Sequence, residues 1–279
     1  KVNLPSFSLD NVSKIMLRTL SGLDASKFSI PIEVIIPQPV YYEITDNIVE
    51  IFSDELKTKK IKMREFSDTE KIFHIEYDLN RDSIDDIILI RKLKSEDPTK
   101  SDIVITALNS DVSLLWEQNF GDGKVYTLPL SYTVKEYGVF YEGNEPFIYV
   151  VANGNNGNFS VASVYSRFGK LISEFWHPGP INAVLVGDLN LDKNREILLA
   201  GYNYHYAAAD CIVINPAETG VAQSPPGRGF FYPLSRGLYY SYFTNLKPFV
   251  SVSEKGPGLF ELITEDGKAE SINLLESEK

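Results

Sequence analysis

The side chains Asp78, Asn80, Asp82 and Asp86 occupy positions 1, 3, 5 and 9 of the stretch DLNRDSIDD, residues 78–86. Asp188, Asn190, Asp192 and Glu196 repeat that register in DLNLDKNRE, residues 188–196. Oxygen donors at these positions of a tight loop can converge on one hard cation. The main-chain carbonyl at position 7, Ile84 or Asn194, can fill the remaining gap. Such a shell suits Ca²⁺, which takes about six to eight oxygens. The EF-hand geometry is excluded, because position 6 is Ser83 or Lys193 rather than Gly and position 12 is Leu89 or Leu199 rather than Glu. Asp and Asn also favour turns by bonding their own backbone, so a single acidic loop needs no metal. Two copies in one register point to a shared cation-loop ancestry. The first loop is expected to be the better cation site, because Lys193 and Arg195 lie within the second.

Both loops lead into apolar runs, IILI at 87–90 and ILLA at 197–200, and the rest of the chain has the same character. Short apolar runs of period two are punctuated by Gly, Asn, Asp and Pro, as in antiparallel sheets. The 16 Tyr and 16 Phe against 2 Met lean the same way. Asp78 and Asp188 are 110 residues apart, and the strand–turn–strand unit ending in Trp116 recurs in the unit ending in Trp176. A repeat of 55 residues follows, which predicts an all-β chain built as a β-propeller of about five blades. A two-sheet sandwich would not explain a unit recurring in register. Residues 29–279 are assigned to the propeller and 1–28 to an N-terminal extension. That extension carries a short helix over 9–21, where apolar Val12, Ile15, Met16 and Leu20 fall on one face.

The loops resemble the calcium loops of FG-GAP/VCBS-type repeats in integrin-like β-propellers, in which D-x-[DN]-x-D-G-x-x-[DE]-[IL] precedes a strand. The match covers two blades and lacks the Gly after the third ligand. It implies bound Ca²⁺, held by Asp78, Asn80, Asp82, Ile84 and Asp86 and by Asp188, Asn190, Asp192, Asn194 and Glu196. It also favours an extracytoplasmic or cell-surface setting. The segment from Gly187 to Pro226 is in addition similar to the propeller parts of large bacterial regulatory proteins, which implies a sensing or interaction module.

Other chemistry is sparse in the sequence. No Walker A, G-x-S-x-G, H-E-x-x-H or dinucleotide glycine fingerprint occurs. Cys211, the one cysteine, excludes an internal disulfide and reads as a buried thiol. His74 is expected to be half-buried and His177 exposed. A net charge of −11 argues against direct nucleic-acid binding. No run approaches the ~18 apolar residues of a membrane span. The chain begins at Lys1 and shows no signal-peptide pattern, which reads as an excised or processed domain.

Residues 224–243 hold seven aromatics, three prolines, Arg228 and Arg236, a composition typical of binding hot spots. These aromatics either fill the space between blades or form a binding face with Tyr204 and His205. On the second reading Arg228, Tyr232, Arg236 and Tyr239 contact a protein, glycan or small-molecule ligand. The function expected is thus a non-catalytic ligand- or protein-binding propeller. The alternative is a glycan hydrolase or lyase working in the propeller funnel.

Overall fold

A computed structural model describes residues 41–52, 55–57, 60–94, 100–121, 131–154, 157–224 and 239–275. The helix expected over 9–21, and the whole extension 1–28, lie outside the described residues. Five sheets, antiparallel except for one short strand, follow one another along the chain. The first holds β1 (Tyr41–Thr45), β2 (Ile48–Phe52) and β3 (Lys60–Glu65). The second holds β4 (Thr69–Tyr77), β5 (Asp86–Leu93), β6 (Ile103–Leu108) and β7 (Leu114–Asn119). The third holds β8 (Tyr132–Glu142), β9 (Glu145–Gly154), β10 (Phe159–Ser166) and β11 (Leu171–His177). The fourth begins with β12 (Ile181–Gly187), β13 (Glu196–Asn203) and β14 (Ala208–Ile214). The chain then makes one short helical turn, α1 (Pro216–Thr219), capped by the Asn215 side chain. It next lends β15 (Val221–Gln223) in parallel to β11 and returns as β16 (Tyr239–Phe243) beside β14. The fifth sheet is β17 (Phe249–Gly256), β18 (Leu259–Thr264) and β19 (Ala269–Asn273).

The continuous apolar runs are explained by the stacking of these sheets. Successive side chains of a strand point to opposite faces, so a strand covered on both sides must be apolar throughout. In β5, Ile88 and Ile90 enter the core shared with the third sheet, while Ile87 and Leu89 enter the core shared with the first. In β13, Leu198 and Ala200 face the fifth sheet and Ile197 and Leu199 the third. Each of the four seams between successive sheets is therefore a separate apolar core. Burying a side chain such as Ile88 or Leu198 there contributes about 1.5–3 kcal/mol. The first strand β12 touches the first strands β8 and β17 of the sheets before and after it, which places these strands toward the common axis. The molecule is an all-β propeller with five blades. Trp116 and Trp176 both fall on the fourth strand of their blades, as the repeat requires, and Trp176 is fully buried.

Strand direction sorts the connections onto two faces. The hairpins 78–85 and 188–195, each joining the first and second strands of a blade, share one face. The turn after β13, the link from β16 to β17 and the turn after β18 lie on the other.

Candidate functional site

The two acidic loops have one backbone conformation. Arg81 and Leu191 both have φ 67°, and Ser83 and Lys193 have φ 71° and 76°. Ser83 and Lys193 stand where the resembling repeats place glycine. The left-handed backbone is therefore retained without the residue that adopts it most easily. The side chains hold it in place. Asp78 accepts the N–H groups of Arg81 (2.6 Å), Asp82 (3.1 Å) and Ser83 (2.9 Å). Asn80 Oδ1 accepts from Asp82 N, and Asp82 Oδ1 from Ile84 N. The second loop repeats these bonds: Asn190 Oδ1 accepts Asp192 N at 3.1 Å, Asp192 Oδ1 accepts Asn194 N at 2.8 Å, and Asp188 Oδ2 accepts Lys193 N at 3.1 Å.

The difference lies at the ninth position. Asp86 is fully buried, and its Oδ2 accepts Leu79 N and Asn80 N at 3.0 and 3.1 Å. Its Oδ1 faces the Asn80 amide, 3.4 Å away, which also donates to Asp82 Oδ2 and Asn109 Oδ1. The Asn80 amide thus sits among the oxygens of the first loop, and the Asn190 amide likewise donates to Asp192 Oδ2 at 3.0 Å in the second. Glu196, one methylene longer and also fully buried, spends Oε2 on Leu189 N at 2.8 Å and leaves Oε1 buried with no hydrogen-bond partner among the described residues. Asp188 Oδ1 is buried and unpartnered too. Carboxylate oxygens of Asp188, Asp192 and Glu196 lie within 4.8 Å of one another.

Electrostatics follow from this crowding. Burial pushes the Glu196 carboxyl up to about 7, with the charges of Asp192 and Asp188 adding to it and the bonds from backbone N–H groups opposing it. Burial likewise raises Asp86 to about 6, again against its backbone bonds. Asp192 is held below the usual carboxylate range, chiefly by the Asn194 N–H. The charges of Lys193 and Arg195 do not enter the loop, since both side chains are exposed and only the Lys193 N–H turns inward. Among the described residues, the carboxylates that group together are those of the second loop, which also carries Lys193 and Arg195.

The residues expected to bind ligand separate. Tyr204 and His205 are exposed on the turn after β13, on the face away from the acidic loops. Tyr239 begins β16 at the acidic-loop end and packs against the core between the fourth and fifth blades. It is part of a blade and does not share a face with Tyr204. Arg228, Tyr232 and Arg236 lie outside the described residues.

No family model matches the chain, and no curated protein matches it. Among solved structures, the Dos1 propeller is similar over 88% of this chain and 58% of that one, with 13% identity and a TM-score of 0.47. A eukaryotic initiation factor structure is similar over 84% and 63%, with 8% identity and a TM-score of 0.31. The chain thus spans less than two thirds of either structure, and neither similarity carries an argument about function.

Two features have no sequence motif. His177 is fully buried, not exposed as expected, because its Nε2 lies 2.8 Å from Asp210 Oδ2 and its Nδ1 3.1 Å from Gly179 O. Burial lowers its pKa, but the Asp210 charge and both hydrogen bonds outweigh that and the net shift is upward. The pair joins the third blade to the fourth. His74, expected half-buried, is exposed beside Glu76. Cys211 is buried, and burial raises its thiol well above the ordinary value. The second feature is a cleft of about 490 Å³ lined by residues from Pro180 to Lys268. Its lining comes from four separate segments.

Proposed function

We propose that the chain is a non-catalytic, ligand- or protein-binding propeller module whose second acidic loop holds Ca²⁺. The observation that carries the cation assignment is that Asp188 and Glu196, each with a buried oxygen unpartnered among the described residues, group with Asp192, one carboxylate oxygen of each lying within 4.8 Å of the others. Leaving a buried carboxylate oxygen unbonded is costly, and a hard cation is the partner that all-oxygen donors fit. Asp188, Asp192 and Glu196 would hold the ion, with Asn190 and the Asn194 carbonyl as the resemblance implies. When bound, the ion supplies charge neutralisation to the crowded carboxylates. The chain's own contribution is a preset loop, fixed by the bonds of Asp188, Asn190 and Asp192 to N–H groups two to five residues on.

Ligand binding is assigned to the opposite face, where Tyr204 and His205 are exposed. The role as a sensor in a larger bacterial protein rests on the resemblance of 187–226 alone. Calorimetry of chelator-stripped protein with Ca²⁺ tests the cation reading. Heat that is present in wild type and lost in Glu196→Gln supports it, whereas no heat in wild type leaves the loops as turns only.

A further inference from the structure

On the face away from the acidic loops, four segments meet over the seam between the fourth and fifth blades. They are Pro180 at the start of β12, residues 202–207, the link 245–248 and the turn 266–268. Tyr202 and Tyr204 meet edge to face, with ring centroids 5.6 Å apart, and present one aromatic wall. Tyr204 is half exposed there. Leu246 and Pro248 supply the facing apolar wall. Lys247 is exposed and forms no ion pair among the described residues. Lys268 reaches only the exposed Asp266, at 3.4 Å, and such a pair is worth little in water.

The walls are held from behind. Tyr202 N and Tyr204 N donate to Pro180 O and Pro178 O at 3.1 and 2.8 Å. Gly179 permits that approach, since a Cβ there would stand 2.0 Å from Tyr202 O. Asn203 Oδ1 accepts from His205 N and Tyr206 N, and fixes the turn. Across the cleft, Thr264 Oγ1 donates to Asp266 Oδ1 at 2.6 Å and accepts Lys268 N at 2.9 Å. Glu265 N donates to Pro248 O at 2.9 Å. The site is set before any ligand arrives, which lowers the ordering cost of binding.

We propose that this cleft binds an extended acidic peptide segment of a partner protein, one that places a proline or aromatic ring next to Asp or Glu. The proposal rests on the binding-module reading and names its ligand class. Flat rings and proline faces suit extended, proline-containing chains. Lys247 and Lys268 against the one carboxylate of Asp266 leave this cleft with a net positive lining on a chain of net charge −11, which suits a ligand carboxylate. On this reading a ligand carboxylate takes Lys247 and displaces Asp266 from Lys268, while its ring lies against Tyr204.

The test is calorimetry of the whole chain with the N-acetylated, C-amidated peptide Glu-Pro-Tyr-Glu-Pro-Asp. Its neutral analogue Gln-Pro-Tyr-Gln-Pro-Asn and a glucuronic acid disaccharide serve as the other arms. Wild type is expected to bind the acidic peptide, and Lys247→Glu combined with Lys268→Glu to weaken it about tenfold or more. Both lysines are exposed, so the doubly substituted chain should fold, and an unchanged circular dichroism spectrum and urea midpoint report that it has. Equal binding of the neutral peptide, binding of the sugar acid in place of the peptide, or no binding at all would each overturn the proposal. A silent cleft alongside an intact calcium heat removes the peptide site alone. A missing calcium heat in wild type alongside peptide binding removes the cation loop alone.

Discussion

Residues 78–86 and 188–196 share their spacing, their left-handed positions and most of their hydrogen bonds, and burial raises the ninth carboxyl in both, yet they differ in how that carboxyl is bonded. In the first loop Asp86 meets backbone N–H groups and the Asn80 amide. In the second, Glu196 reaches one methylene further and leaves an oxygen buried without a partner, facing Asp188 and Asp192. The Asn80 amide thus reaches both Asp82 and Asp86 in the first loop, whereas the Asn190 amide donates to Asp192 and, among the described residues, Glu196 Oε1 is left unmet. A ligand pattern fixes where donors stand. Whether they remain available depends on what else they can bond.

The first loop is held at its buried end by Asp86. Asp86→Ala strips the Leu79 and Asn80 N–H groups of their buried acceptor and should cost about 2–3 kcal/mol in urea unfolding. A loss under about half a kcal/mol would show that the first loop is not held by its own donors. The second test is pH. Glu196 titrates near 7 in the folded protein against an ordinary 4.5, so the native state keeps a proton that the unfolded chain releases. Stability in chelator should therefore fall as pH rises from about 4.5 to about 7, by roughly 1–3 kcal/mol in all, and then level off. Asp86, raised from 3.8 to about 6, adds a fall that ends earlier. The upper part of the slope, between 6 and 7, should vanish in Glu196→Gln and survive in Asp86→Asn.

Calcium sharpens the contrast. At tenfold excess over its dissociation constant it should stabilise wild type and Asp86→Asn by about 1.4 kcal/mol, and Glu196→Gln by much less. Equal stabilisation of both variants would move the site elsewhere. The smallest effect tests what the loops share. Ser83→Gly and Lys193→Gly, at φ 71° and 76°, should each stabilise by about 0.5–1 kcal/mol. A loss at either position would mean its side chain contributes more than its backbone strain costs.

Much of the fold was legible in the sequence because a strand buried on both faces must be apolar, and β5, β13 and β14 have no other way to be read. The 110-residue offset gave the two loops the same place in blades two apart. What was not legible depends on distances that spacing does not encode. Lys193 lies inside the motif, but its side chain leaves it. His177 meets Asp210 only because two blades close on each other. Tyr239 belongs to a composition typical of binding surfaces, yet it pairs with Val213 as part of a blade's outer strand. The cleft draws on residues 180–268, and no local pattern could have assembled it.

The loan of β15 to the third blade changes what kind of object the propeller is under load. Stacked repeats ordinarily behave as a row of neighbours, each able to open with little regard for those beyond it. Here a piece of chain from the fourth blade hydrogen-bonds to β11, with Ser224 N donating to Trp176 O at 2.8 Å and Glu174 N to Gly220 O at 2.8 Å. The third blade cannot peel from its outer edge without first unzipping its neighbour's strap. The same strap covers a row of backbone groups that would otherwise be open to pairing with another molecule. Blades three and four therefore form the molecule's keel, and fraying should begin in the first and fifth blades before it reaches them.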